Sequence, residues 1–268
     1  MPKLRSAILP ALALLAGFIY VNNASFMSRR PPGKPVLLAH RGVSQQFDRR
    51  DLRSDTCTAT RMLPPTHGYL ENTIPSMRAS FEAGADLVEI DVHPTTDGQF
   101  AVFHDWTVDC RTEGKGETRA HGTAQLKRLD VGYGYTADGG KTFPFRGKGV
   151  GMMPTLDEVL ATFPDRRFVI NIKSNDATDG PKLAQALARL PAGRRKALIV
   201  YGGDKPIQAL RQAMPEVKTL SRQSLKACVL RYVAYGWTGV VPQACESSMV
   251  LLPIDVAPWL WGWPNRLL

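Results

Sequence analysis

Two histidines and two closely spaced carboxylates stand where they could act together on one substrate. His40 is followed by Arg41, Glu89 and Asp91 are separated by one residue, and His104 comes shortly after them. Carboxylate oxygens hold hard divalent cations, and imidazole titrates near neutral pH. A cation and an arginine would offset the charge that builds on phosphate oxygens during phosphodiester cleavage. These residue types therefore fit a metal-assisted phosphodiester hydrolysis with histidine acid and base catalysis.

The segment that carries the two carboxylates has the period of a β-strand. Polar and branched apolar residues alternate from Leu87 to His93, so Glu89 and Asp91 face one side and the apolar residues the other. Two like charges this close are costly unless a cation or hydrogen-bond donors offset them. A metal ion is the simplest resolution, and a solvated face of an edge strand is the alternative.

Neighbouring segments are predicted to bring further polar groups to this strand. The Asp97-Gly98 pair predicts a turn, and therefore a hairpin that returns His104 toward the carboxylates. The apolar residues 36–39 predict a buried parallel strand that carries His40 at its carboxyl end. Residues 168–173 have the same form, with a second pair of polar side chains on a common face.

The rest of the chain predicts alternating helices and strands. Thr73 caps a helix that ends at Gly84, and Thr155 with Glu158 forms a capping box before another helix. Further strands are predicted at 197–201, 217–220 and 249–252, and further helices at 182–190, 207–214 and 224–235.

The motifs together resemble those of the glycerophosphodiester phosphodiesterase family. The resemblance covers residues 36–173 and rests on these motifs: His40-Arg41-Gly42, Glu71-Asn72-Thr73, Glu89-Ile90-Asp91-Val92-His93, Thr96-Asp97-Gly98, Phe103-His104-Asp105 and residues 154–160. It implies an α/β fold of the TIM-type (β/α) barrel. It also implies one divalent cation, Ca²⁺ or Mg²⁺, and cleavage of glycerophosphodiesters to glycerol 3-phosphate and an alcohol.

The same resemblance implies roles for individual residues. His40 and His104 would be the acid and base, and Glu89 and Asp91 would be metal ligands. Glu71 would be a carboxylate on the metal side or the substrate side. Arg41 and Lys173 would contact phosphate or substrate.

Asn171 departs from the family pattern, which usually has a metal-binding glutamate two residues before the lysine. An amide oxygen can still coordinate Ca²⁺ or Mg²⁺, so Asn171 stays a predicted metal ligand. The lost negative charge is expected to weaken cation binding. A catalytically silent, membrane-anchored binding module is therefore an alternative function, and lysophospholipase D-like activity on membrane lipids is another.

The 268 residues are predicted to form two regions. Residues 1–30 carry an apolar run after Lys3 and Arg5, which fits a signal peptide or a membrane anchor. Residues 35–268 form the predicted phosphodiesterase barrel, near the roughly 250 residues typical of that fold, with loop insertions at about 49–70 and 110–150. The segment after Leu252 is too short for a last strand and helix, so the barrel is predicted to be incomplete or the chain truncated.

Cysteine content and charge bear on location and partners. Four cysteines allow three complete pairings, of which Cys57 with Cys110 and Cys228 with Cys245 is preferred over free thiols. The N-terminal run and these disulfides favour a membrane-anchored or exported protein whose catalytic domain lies outside the cytoplasm. The formal net charge is +10, and no nucleic-acid motif accompanies it. Glycerophosphodiester or lysophospholipid substrates and a membrane surface are therefore expected partners, nucleic acid is not, and the oligomeric state stays open.

Overall fold

A computed structural model describes residues 2–24, 34, 36–53, 56–245 and 256–263, with no side-chain description for residues 2–7. The chain divides into two compact units. One comprises Val36–Ser221, and the other comprises Met1–Pro35 together with Arg222–Leu268.

The Val36–Ser221 unit is built on a six-stranded sheet in the order β1-β2-β4-β5-β6, with β3 paired to β2. All pairs are parallel except the β2–β3 hairpin. The strands are β1 Leu38–His40, β2 Leu87–Pro94, β3 Phe100–Val102, β4 Arg167–Ile172, β5 Ile199–Gly202 and β6 Lys218–Ser221. Strands that alternate with helices form a TIM-barrel-like α/β fold, as predicted, and the described strands form an open sheet.

The hairpin was predicted from the Asp97-Gly98 turn, and the structure confirms it. Val92 pairs with Val102 and His93 with Ala101, in antiparallel register. Gly98 has a φ of +76°, which a residue without Cβ adopts readily. The turn therefore places His104 directly after β3, next to the carboxylate strand.

The predicted burial of β1 is wrong. Within the described residues β1 pairs only with β2, so its other edge has no neighbouring strand. Leu38 is 40% exposed, and residues 36 and 37 are exposed as well. A nearly all-apolar run predicts a strand with a neighbouring strand on each side, but β1 forms an edge of the described sheet.

The helices of this unit are α2 Ile74–Glu82, α3 Thr123–Leu126, α4 Leu156–Thr162, α5 Asp179–Leu187, α6 Ala192–Lys196 and α7 Asp204–Ala213. The Thr73 hydroxyl accepts a hydrogen bond from the Ser76 amide at the start of α2, and Thr155 with Glu158 forms the predicted capping box of α4. Side chains of α2, α4, α5 and α7 pack with Val88, Ile90 and Val92 of β2 in one hydrophobic core. Because side chains alternate along a strand, Glu89 and Asp91 point to the opposite face.

The two predicted insertions fold together around a second hydrophobic cluster. It joins Ala59 and Met62 of the first insertion to Val131, Tyr135 and Phe145 of the second. The Cys57–Cys110 disulfide links the same two segments, with a Cα–Cα distance of 5.5 Å. The same cluster contains Ala101 and Phe103, so the two insertions pack against the hairpin.

The other unit contains the helices α1 Pro2–Asn23 and α8 Arg222–Tyr235 and three short 3₁₀ segments, Gly236–Thr238, Gln243–Cys245 and Ala257–Trp259. Asn22 and Asn23 donate side-chain hydrogen bonds to the carbonyl of Trp237. Cys228 and Cys245 form the second disulfide, so the preferred pairing is confirmed. The strand predicted at residues 249–252 lies outside the described residues.

None of the helices in the described part of the chain is long and apolar enough to cross a membrane. The role of residues 1–30 and the location of the protein stay predictions.

Candidate active site

Strand register brings the predicted site residues to one end of the sheet. His40 is the register partner of Glu89, and Asp91 is the partner of Asn171. Tyr201 in turn pairs with Asn171 on the next strand. Parallel strands end at the same edge, so a residue late in each strand meets its counterparts there. All eight residues predicted for the site lie in this region: His40, Arg41, Glu71, Glu89, Asp91, His104, Asn171 and Lys173.

Glu89 is buried and has one carboxylate oxygen without a donor. Its Oε1 accepts a hydrogen bond of 2.8 Å from the Tyr201 hydroxyl, whereas no described donor reaches Oε2. His40 Nε2 lies 3.8 Å from Oε2. Burial, and then the nearby charge of Asp91, raise the pKa of Glu89 to about 8. A cation at Oε2 would favour the ionised form of this carboxylate.

Asp91 is equally buried but is surrounded by donors. Asn171 donates to its Oδ1 at 2.8 Å and Asn72 donates to its Oδ2 at 3.1 Å. Lys173 Nζ and Arg41 Nε lie 3.5 and 3.3 Å from the two oxygens. Burial favours the protonated acid, but Lys173, His104, Arg41 and the amide donor hold the pKa of Asp91 below its usual value. Asp91 is therefore the ionised carboxylate of the pair.

Left-handed backbone conformations after β1 aim Arg41 into the site. Arg41 has a φ of 63° and Gly42 a φ of 77°. A Cβ on Gly42 would lie 2.5 Å from the Ser76 hydroxyl oxygen and 2.9 Å from its carbonyl carbon, so only glycine fits against the start of α2. Asn72 also has a positive φ, 57°, and its side-chain oxygen accepts from the Asp91 amide at 3.2 Å. This local strain is balanced by contacts with the carboxylate strand.

A chain of charged contacts connects His104 to Arg41. His104 Nδ1 lies 2.6 Å from Asp105 Oδ1, and Arg111 Nε donates to Asp105 Oδ2 at 2.9 Å. Arg111 Nη1 also lies 3.3 Å from Glu71 Oε2, and Arg41 Nη1 donates to Glu71 Oε1 at 3.0 Å. This series of side-chain contacts fixes the position of His104 relative to Arg41.

Arg111 is the centre of that chain and is fully buried. Its remaining donors go to the Thr58 hydroxyl at 2.7 Å and to the Tyr135 hydroxyl, and its guanidinium lies over the Tyr135 ring. Burial opposes a charge here, but Asp105 and Glu71 hold the pKa of Arg111 well above its ordinary value. Thr58 and Tyr135 belong to the two insertions, so these segments support the site.

The two predicted catalytic histidines have different surroundings. His104 is held at Nδ1 by Asp105, which leaves Nε2 for the substrate. The His40 side chain is 65% exposed at the end of β1. Partial desolvation of the ring, and then the positive charge of Arg41, lower the pKa of His40.

His93 lies on the same strand face as Glu89 and Asp91, as the alternation predicted. It is buried, its ring meets the Trp106 ring edge to face at 5.8 Å, and no described partner reaches its Nε2. Burial lowers the pKa of His93 to about 4, so the ring is neutral at neutral pH.

The donor atoms at this edge fit a hard divalent cation. Glu89 Oε2 is buried and accepts no hydrogen bond from a described donor. Asn171 donates from Nδ2 to Asp91, so its amide oxygen can serve as a ligand of the cation. Glu71 differs, because each of its oxygens faces an arginine. Within the described residues no group of three His, Cys, Asp or Glu side chains is arranged to hold a metal ion. The candidate ligands at this edge are therefore the two carboxylates Glu89 and Asp91 and the amide oxygen of Asn171.

Sequence reasoning missed three supporting residues. Tyr201 was placed in a predicted strand without a role, and Asp105 was part of a motif without one. Arg111 carried only the weak signal of following Cys110. No local pattern could indicate its partners, because Thr58, Tyr135 and Glu71 are brought to it by tertiary packing.

The histidines, carboxylates and basic side chains lie at the carboxyl end of a TIM-barrel-like parallel sheet, where the active sites of enzymes of this class of fold are found. The chain belongs to the glycerophosphoryl diester phosphodiesterase family, whose family model matches residues 40–213. This confirms the resemblance found in the motifs. The family generally uses a divalent metal ion.

Named relatives agree with this membership. A glycerophosphodiester phosphodiesterase of Bacillus subtilis is 31% identical over 210 residues, which are 76% of this chain and 59% of that protein. One from Caldanaerobacter subterraneus subsp. tengcongensis is 39% identical over 103 residues, 38% of this chain and 39% of that protein. The chain thus spans about three fifths or less of the length of these relatives.

A solved structure supports the fold. The glycerophosphoryl diester phosphodiesterase domain of an uncharacterized Mycobacterium tuberculosis protein superposes with a TM-score of 0.55 at 21% identity, and the match covers 74% of this chain and 64% of that chain.

Proposed function

We propose that this chain hydrolyses glycerophosphodiesters to glycerol 3-phosphate and an alcohol, using His40 and His104 as acid and base. The observation that carries the proposal is the His104–Asp105 pair beside the buried carboxylates Glu89 and Asp91. A histidine oriented by a carboxylate is the arrangement that general-base catalysis requires. Family membership supports the substrate class.

His104 is the base in this proposal because Asp105 occupies its Nδ1 and leaves Nε2 as the proton acceptor. It takes the proton of the attacking hydroxyl, which belongs to water or to the substrate itself. Attack by a substrate hydroxyl gives a cyclic phosphate first, and water then opens that ring to glycerol 3-phosphate. A P–O bond forms to that oxygen while the P–O bond to the alcohol breaks. His40, whose Nε2 lies 3.8 Å from Glu89 Oε2 at the end of β1, then gives its proton to the departing alcohol oxygen.

Arg41 and Lys173 stabilise the charge on the nonbridging phosphate oxygens. Both lie against Asp91, which holds them at the site. Glu89, Asp91 and Asn171 would hold a Ca²⁺ or Mg²⁺ ion, which supplies further positive charge to the phosphate when bound. We place Glu71 on the substrate side, because its oxygens hold Arg41 and Arg111.

Release of glycerol 3-phosphate from glycerophosphodiesters, measured with and without a chelator, tests the proposal. We expect turnover that a chelator abolishes and that Ca²⁺, Mg²⁺ or Mn²⁺ restores. Lysophospholipids assayed in parallel report on the lysophospholipase D-like alternative. Absence of turnover with every diester and every cation would favour the catalytically silent binding module, for which Asn171 is the motivating observation.

Asn171→Glu is expected to tighten cation binding. The new carboxylate adds attraction for a divalent ion, although it also adds repulsion with Glu89 and Asp91 when no ion is bound. Calorimetric titration of both proteins with Ca²⁺ and Mg²⁺ measures the change, and Asn171→Asp provides a shorter control with the same charge. Equal or weaker affinity for both ions would place Asn171 outside the cation's ligands.

A further inference from the structure

A cavity of about 490 Å³ opens next to the catalytic residues, on the side of the first insertion. Its lining includes the site residues His40, Arg41 and Glu71 and also Phe47, Arg49 and Leu52. This volume falls within the range of small-molecule sites. Because His40 is the proposed proton donor to the departing alcohol, the cavity lies where that alcohol would be.

The described residues that line the cavity carry a net positive charge. Glu71 is the one acidic side chain among them, and its two oxygens lie 3.0 Å from Arg41 and 3.3 Å from Arg111. Its negative charge is thereby neutralised. No cation entering the cavity would find an uncompensated carboxylate on these walls.

Arg49 places a second guanidinium among the residues that line the cavity. It makes no ion pair with any residue in the described part of the chain, and its contact is with the Phe47 ring, 5.8 Å from the centroid. The neighbouring Arg50 differs, because it forms a 2.5 Å ion pair with Asp48 and does not line the cavity. A guanidinium without a carboxylate partner among the described residues can bind a phosphate or carboxylate group through two parallel hydrogen bonds.

The cavity is poorly suited to a quaternary ammonium group. Such groups are bound by open aromatic faces and by carboxylates. Here the Phe47 ring already carries Arg49, and the one carboxylate is paired with arginines. Phe47 and Leu52 still offer apolar contact to the carbon atoms of an alcohol.

We propose that this cavity binds the alcohol portion of the substrate and selects alcohols that carry an anionic group, a second phosphate above all, over choline-like alcohols. The inference rests on the proposed function, since it assigns the leaving alcohol to the His40 side. Arg49 is then a specificity-determining residue contributed by the first insertion.

The test compares two diesters with the cation-loaded full chain: glycerophosphocholine and a glycerophosphoglycerol that carries a terminal phosphate. We expect wild-type kcat/KM to be higher for the phosphorylated diester. The ratio of the two kcat/KM values should fall about tenfold in Arg49→Gln, as one charge-assisted hydrogen bond predicts, and should invert in Arg49→Glu. Arg50→Gln, the matched control, should keep the wild-type ratio.

An unchanged ratio in both Arg49 variants, or the same fall in Arg50→Gln, would overturn the assignment while leaving the proposed function intact. If wild type hydrolyses neither diester, the proposed function fails, and calorimetric Kd values for the same two compounds then decide the binding question. In that case, weaker binding of the phosphorylated diester by Arg49→Gln alone supports the subsite, and equal binding by all three proteins overturns it.

Discussion

His104→Ala is expected to lower kcat by about 100- to 10,000-fold, because it removes the proposed acceptor of the proton of the attacking hydroxyl. His40→Ala should have an effect of the same order, since the departing alcohol would leave without a proton. Both variants should remain folded, because His40 is largely exposed and His104 contributes one hydrogen bond to Asp105. Steady-state release of glycerol 3-phosphate gives kcat, and thermal unfolding followed by circular dichroism monitors the fold.

His121→Ala is the matched control for these two variants. His121 is partly exposed, and its ring Nδ1 lies 2.8 Å from the carbonyl oxygen of Glu117. Its loss should leave kcat at the wild-type level. Near wild-type kcat in either His40→Ala or His104→Ala would remove that histidine from the mechanism.

Arg111→Met is expected to lower the free energy of unfolding by about 3–5 kcal/mol, the usual cost of breaking a buried ion pair by removing one partner. The methionine side chain fills much of the volume but leaves Asp105 and Glu71 without their shared cation. His104 and Arg41 then lose their supports, so kcat should fall as well. Denaturant titration followed by fluorescence measures the stability change.

Two further variants separate charge from position. Arg111→Lys keeps the positive charge but not the planar fork, so it should unfold closer to wild type while kcat stays low. Arg189→Met is the surface control, because Arg189 also contacts an aspartate at 2.9 Å but is 65% exposed. Exposed pairs contribute about 1 kcal/mol or less. If Arg111→Met lowers the free energy of unfolding no more than Arg189→Met does, the buried network has no structural role.

The local elements of the site could be predicted because their signals are short in range. The alternation from Leu87 to His93 defines which side chains share a face, and burial of that strand on both faces does not change the assignment. The Asp97-Gly98 turn and the Thr73 cap act within a few residues, and both form as predicted. The motifs in the first part of the chain were therefore sufficient to identify the family.

The environment of β1 could not be predicted from its own residues. An apolar run is compatible with a central strand and with an edge strand, and the difference lies in whether another strand reaches the second edge. Among the described strands none does, so Leu38 remains partly exposed.

The sequence by itself determined which side chains are candidates for the chemistry: His40, Glu89, Asp91 and His104 stand on or shortly after strands whose period is visible in the chain. Only the tertiary structure decided which groups support them. Arg111 is far in sequence from Glu71 and Thr58, and its two carboxylate partners are brought together by the packing of two insertions and a disulfide. Such partnerships depend on long-range contacts and on the burial that makes an unpaired charge costly, and neither leaves a local pattern in the residues.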